Sequence, residues 1–327
     1  MFNAGFLVVR PSTLSQQLYQ NVRQLTNSTR LDDQKALNKA MTIMQKRKER
    51  AEQVLRVSVL DRNKFLSGFY YFEKYGRKLP KLCEGSEPAN KSSCPLVVHN
   101  NWIVSKEAKI YRFREHLMWK YDGSDRYYSS ETRRYLTYSN PKPKTRRAAL
   151  KSVMERQKSD LMTSLAIGHL LKRVVILPAF HCGKPLAYWQ CSLHSLIHVK
   201  TFDKYFSGLY RESSFLRHPK VPNSLKQDVM NLQFNLRLKQ KPDSIVSGSN
   251  VMRQFSDVSA KVINVSNLQQ IKIDINDAFF DDEFSSKLRT VFQNSVFRQV
   301  NRFCRFISKS EDVLRLQKHH KCALISK

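Results

Sequence analysis

The run Val174-Val175-Ile176-Leu177, set between Arg173 and Pro178, constrains the fold of this chain more than any other stretch. Consecutive apolar residues of strand-forming type leave no polar face, so a strand here must be covered on both sides, as in a parallel sheet flanked by helices. Leu161 to Leu171, just before it, has an apolar face at helical spacing. Helix followed by buried strand predicts an α/β unit. Lys261–Val265 and Ile271–Ile275 read as two more strands, and Phe284–Ile307 as a long closing helix.

The front of the chain has its own pattern. Phe6 to Val9 reads as a buried strand. Ser12 is a fair N-cap for a helix whose face carries Leu14, Leu18, Val22 and Leu25. Asp32 or Asp33 caps the next helix, with Leu37, Ala40, Met41 and Met44 on its apolar side. Leu55, Val57 and Val59 alternate as a strand, and Gly68–Phe72 reads as strand or loop. Pro95–Ile103 reads as a strand ending in polar Asn100-Asn101. Two prolines among basic residues, Pro141-Lys142-Pro143-Lys144, predict a boundary. The expected domains are 1–138 and 150–327, with 139–149 as linker.

At 327 residues the chain has room for two domains with sizeable cores. Its net charge of +30 would suit nucleic acid, but Lys and Arg are spread along the whole length and are not interleaved with aromatics in a binding motif. A solvated basic surface, or one suited to anionic substrates, fits better, and no nucleic-acid partner is expected. No apolar run approaches the ~20 residues that cross a bilayer, and no signal peptide is visible.

Six cysteines include no Cys-x-x-Cys pair, which argues against zinc. Cys83/Cys94 and Cys182/Cys191 each flank a loop, compatible with two local disulfides or with buried thiols. Sequons at Asn27, Asn90 and Asn264 lean towards the secretory pathway. His181, His194 and His198 gather near Cys182 and Cys191, where packing and loop roles are favoured over a metal site.

Several motifs occur in order: Phe2-Asn3-Ala4-Gly5-Phe6-Leu7-Val8-Val9-Arg10-Pro11, Asp33-Gln34-Lys35-Ala36-Leu37-Asn38, Val97-Val98-His99-Asn100-Asn101-Trp102-Ile103, and Arg112-Phe113-Arg114-Glu115. Together they resemble the nucleotide-diphospho-sugar transferase family, which includes plant and algal arabinosyl- and xylosyltransferases, over about residues 1–120. The resemblance implies a GT-A-like α/β fold, of which this chain carries the C-terminal part, followed by a second α/β domain. It implies retaining transfer of a sugar from a nucleotide-diphosphate sugar donor to a glycan or glycoprotein acceptor, with Mn²⁺ or Mg²⁺ as cofactor, in the Golgi lumen or at its membrane.

The same resemblance implies roles for individual residues. Asn3, Ala4 and Gly5 would line the donor-sugar pocket, with Gly5 letting backbone approach the ligand. Asp33 would bond donor hydroxyls, and Gln34 would lie near the anomeric carbon. Glutamine is a poor nucleophile, so a front-face transfer stabilised electrostatically is favoured. His99 would ligate the metal and Lys106 would contact the diphosphate, as point charges do. Each has a plainer alternative: Asp33 as a helix N-cap, Asn3-Ala4-Gly5 as a turn, and Lys106, Lys109, Arg112 and Arg114 as a solvated helix face.

The family's Asp-x-Asp motif does not precede Asn3; Asp274-Ile275-Asn276-Asp277 and Asp281-Asp282 come late and read as surface turns. The expectation is therefore a truncated or degenerate member that binds donor and metal poorly. A non-catalytic glycan- or matrix-binding protein on the same fold is the alternative. Leu165 to Pro178 and Tyr210-Arg211-Glu212-Ser213-Ser214-Phe215-Leu216 resemble the tail segment of plant arabinosyltransferases of this family, with a weaker likeness to fucosyltransferase-type domains. Arg211 and Glu212 would shape an acceptor groove or pair with each other.

Overall fold

A computed structural model describes residues 7–46, 55–61, 63–74, 94–101, 103, 105–140, 150–182, 189–235 and 244–293. The chain divides into two compact units, Met1–Trp102 and Ile103–Lys327.

In the smaller unit, α1 (Thr13–Thr29) and α2 (Asp33–Lys46) form a helical hairpin. Ser12 caps α1 through a reciprocal capping box with Ser15. The predicted faces meet: Leu18 packs on Leu37, Ala40 and Met41, with Val22, Leu25 and Met44 around them. Leu55 joins this cluster, but Val57 and Val59 are exposed and the segment is not a strand. Alternation makes a strand only where a sheet offers a face to bury against, and here a helix pair takes the one inward residue. Leu7, Val8 and Val9 are likewise exposed and irregular, against the expected buried strand; Phe6 lies outside the described residues.

The unit's strands are β1 (Phe65–Ser67) and β2 (Val97–His99), a parallel pair in the register Phe65↔Val97, Leu66↔Val98, Ser67↔His99. Phe69–Lys74, expected as strand or loop, is a π-helical turn. Cys94 is disulfide-bonded; Cys83 lies outside the described residues.

The larger unit begins with α3 (Lys106–Glu115) and continues through β3 (Tyr135–Tyr138), α4 (Leu150–Leu170) and β4 (Val174–Ile176). A hairpin follows, β5 (Phe180–Cys182) and β6 (Trp189–Cys191), in which Cys182 pairs with Trp189 and Cys191 with Phe180. Next come α5 (Val199–Phe206), β7 (Tyr210–Arg211), α6 (Asn223–Gln227) and β8 (Val229–Leu232). The unit ends with β9 (Ser244–Val246), α7 (Gly248–Phe255), β10 (Val262–Val265), β11 (Ile271–Ile273) and α8 (Asp282–Gln293).

Its main sheet is fully parallel in the order β7-β4-β3-β10-β8. The expected boundary at 139–149 is therefore corrected: β3 sits mid-sheet between β4 and β10, so residues just before 139 share one core with those after 150. The apolar run that predicted the fold is β4, with Val175 and Leu177 at 1% exposure. Asn264 of the third sequon lies on β10, its amide donating to Asn231 Oδ1 at 2.8 Å. Among the described residues no helix is long and apolar enough to cross a membrane.

Two devices fix the sheet. Buried Arg173, directly before β4, donates to the carbonyls of Val258 at 2.6 Å and Ala260 at 2.7 Å, tying the amino ends of β4 and β10. Gly168 lets α4 close on β4, because a Cβ there would stand 2.6 Å from Val175 Cγ2 and 2.8 Å from the Arg173 carbonyl oxygen. Gly168→Ala should therefore destabilise the larger unit by about 1–3 kcal/mol, as overpacking does. Urea denaturation checks this; an unchanged midpoint would mean the helix is not so close.

Candidate functional site

The smaller unit brings Ser67, Gly68 and the His99–Asn101 turn to the carboxyl ends of β1 and β2, where parallel strands can present ligand groups. Ser67 stands beside His99 in register. Gly68 follows, its N–H donating to Asn101 Oδ1 at 2.8 Å. A Cβ on Gly68 would lie 2.7 Å from the Asn101 carbonyl oxygen, so only glycine lets the two strand ends approach this closely. Asn100 is buried and His99 half-buried. The sequence motif His99-Asn100-Asn101 is thus one turn clamped by Gly68.

Asp33 and Gln34 stand elsewhere in this unit, on the first turn of α2, whose packing partner is α1. The cap of α2 is Asp32: its carboxylate accepts from the Lys35 N–H at 2.8 Å and pairs with the Lys35 ammonium at 2.7 Å. The Lys35 contact also lowers the Asp32 pKa. Asp33 is exposed, and its Oδ1 accepts from the Gln34 N–H at 2.8 Å. Asn3, Ala4 and Gly5 lie outside the described residues.

A metal is implied at His99, and the groups beside it are the hydroxyl of Ser67 and the amides of Asn100 and Asn101. Among the described residues no three His, Cys, Asp or Glu side chains converge. The described donor set thus does not match a divalent-cation site, where carboxylates are the customary ligands.

Lys106 opens α3 in the larger unit and lines a groove of about 470 Å³ with Ser105, Lys109, Ile110, Phe113 and Trp119. Ser105 caps the helix, accepting from the Ala108 N–H at 3.3 Å, from a strained backbone at φ 84°. Leu117, in the left-handed region at φ 58°, turns the chain back after α3. Trp119 thereby stacks on Phe113, centroids 6.5 Å apart at 19°. The buried indole Nε1 of Trp119 has no hydrogen-bond partner. Two ammonium groups, a helix N-terminus, an aromatic wall and an unpaired N–H make a surface for an anion with an attached ring. Trp119 escaped the sequence reading because a left-handed leucine carries no signal; Gly68 could have been flagged by its place between an apolar strand and an aromatic run.

The other residues singled out in the sequence have structural partners. Arg211 and Glu212 are fully buried; they meet through Tyr127, which donates to Glu212 Oε2 at 2.7 Å and lies under the Arg211 guanidinium at 4.0 Å. Burial raises the Glu212 pKa. His194 is 3.3 Å from Arg112, His198 Nδ1 is 2.6 Å from Thr201 Oγ1, and His181 Nε2 is 3.0 Å from the Asn140 carbonyl.

No curated protein and no solved structure matches the chain. The family model described as nucleotide-diphospho-sugar transferase matches residues 1–113. The matched stretch holds the α1–α2 hairpin, the clamped ends of β1 and β2, and most of α3.

Proposed function

We propose that the chain serves a glycosyltransferase that takes its sugar from a nucleotide-diphosphate donor and passes it to a glycan or glycoprotein, with retention at the anomeric carbon. The family match over residues 1–113 carries this reading. Lys106 and Lys109 would neutralise the diphosphate, and Trp119 would pack on a ring of the same ligand. Asp33 would bond donor hydroxyls and Gln34 would stabilise developing charge at the anomeric carbon. Asn3, Ala4 and Gly5 would wall the sugar, and a Mn²⁺ or Mg²⁺ ion at His99 would need ligands other than the Ser67, Asn100 and Asn101 groups beside it. A Golgi setting accords with the sequons.

The groove gives the sharpest test. UDP and GDP should bind the full chain weakly, and the double variant Lys106→Ala/Lys109→Ala should bind at least about tenfold more weakly still, roughly 1.4 kcal/mol. A double variant that binds both nucleotides as tightly as the native chain would remove the groove from donor recognition.

A further inference from the structure

The five strands of the main sheet are parallel, so their carboxyl ends share one edge, and open α/β sheets bind ligands outside that edge. A cavity of about 320 Å³ lies there in the larger unit, near the lower end of the size range of small-molecule sites. Asn140, just past β3, and Gln269, on the turn after β10, form one side. The other side is a single face of α4 at helical spacing, including Ser152, Arg156 and Asp160.

The walls are held in place from behind. Gln157 donates to the His181 carbonyl at 2.9 Å and accepts from the His181 N–H at 2.7 Å, so α4 and β5 are cross-linked beside the cavity. Arg156 and Asp160 form an ion pair at 3.3 Å, with the carboxylate buried and the guanidinium 37% exposed. The amide oxygens Asn140 Oδ1 and Gln269 Oε1 are buried without a hydrogen-bond partner. Buried acceptors are nearly always satisfied in folded proteins, so two of them on one cavity mark an interaction still to be made.

We propose that this cavity binds a polyhydroxylated ring, the sugar of a glycan or the ribose of a nucleotide. The two amide oxygens and Asp160 accept from hydroxyls, and Arg156 and Ser152 donate to the hydroxyl oxygens. Amide, carboxylate and guanidinium groups lining one cavity match adjacent hydroxyls, each of which is donor and acceptor together. The lining includes Val153 and the His181 imidazole, which is held edge-on by the Asn140 carbonyl at 3.0 Å, but no Phe, Tyr or Trp, and its many hydroxyl-matching polar groups favour the sugar over a base. The site lies on different elements from the α3 groove and does not rest on the donor reading.

Uridine and methyl β-galactopyranoside, one for each source, are titrated into the full chain by saturation-transfer NMR. At least one should bind at millimolar concentration. Ser152→Trp, at an exposed helix position on the lining, fills the cavity and should weaken that binding at least about tenfold. Gln269→Leu removes one acceptor at similar volume and should weaken it several-fold. Uridine alone binding identifies ribose; the galactoside alone identifies a glycan. Binding of neither probe, or binding that both cavity variants retain in full, overturns the proposal. Should Ser152→Trp fail to fold by circular dichroism, Gln269→Leu decides.

Discussion

Arg211→Ala should cost about 3–5 kcal/mol of stability, the largest single-residue effect expected in this chain, because it removes one partner from a buried charged network. Arg211 has no exposed surface. Its guanidinium donates to the carbonyls of Tyr210 at 2.7 Å, Tyr127 at 3.3 Å and Gly208 at 3.4 Å, and it covers the Tyr127 ring. Arg114 covers the same ring at 3.7 Å. Glu212, equally buried, takes the Tyr127 hydroxyl. Its pKa is raised by burial and pulled back partly by the Tyr127 bond and by Arg114 and Arg211. Without Arg211 three carbonyls lose a donor and Glu212 a cation. Urea denaturation of the variant measures this; a loss under about 1 kcal/mol would show that the network is dispensable.

Acid should destabilise the larger unit through His194. Burial, with Arg112 beside it, lowers the His194 pKa to about 3, against roughly 6.5 in an unfolded chain. Between those values the folded state holds fewer protons than the unfolded state, so stability falls as pH falls. The full effect approaches about 1.4 kcal/mol per pH unit within the window. Burial also lowers the pKa of His169 and of His218, which adds in the same direction below about pH 6.5. Glu212 acts oppositely: its raised pKa means the folded state takes up its proton first, and stability returns as pH falls through its range. Three histidines against one carboxyl give a net loss between pH 7 and pH 5. His194→Gln should flatten that slope in urea denaturation; an unchanged slope would refute the assignment.

The larger unit's fold was legible where burial decides the residue type. Val174–Ile176 and Val262–Val265 lie in the covered main sheet, and Ile271–Ile273 buries both isoleucines while leaving Lys272 exposed; each is a strand. The α1–α2 hairpin was legible because periodicity and Ser12 capping agree. The misreadings share a cause. Leu7–Val9 and Leu55–Val59 have strand composition, but composition does not say whether a neighbouring strand exists to pair with. The boundary at 139–149 was inferred from local stiffness, whereas β3 is bound to β10, more than a hundred residues later, by long-range pairing.

The candidate site was legible by motif and obscure by geometry. His99-Asn100-Asn101 was singled out, but its partner Gly68 comes from a separate strand. Lys106 was singled out, but the Trp119 that completes its groove arrives through Leu117, in a conformation few leucines adopt. Arg211 and Glu212 read in the sequence as shaping an acceptor groove or pairing with each other; a charged pair carries no sequence mark of being buried, and here it belongs to a core network joined by Tyr127.

The central claim is that this chain recognises a nucleotide-diphosphate sugar and not merely a glycan. Calorimetric titration of the full chain with UDP-sugars and GDP-sugars, beside a neutral matrix glycan, tests it directly. The account predicts heat from one of the nucleotide sugars, displaced by the free nucleoside diphosphate and weakened by Lys106→Ala/Lys109→Ala. Saturable binding of the glycan with no binding of any nucleotide sugar would contradict it and leave a glycan-binding protein on a transferase scaffold.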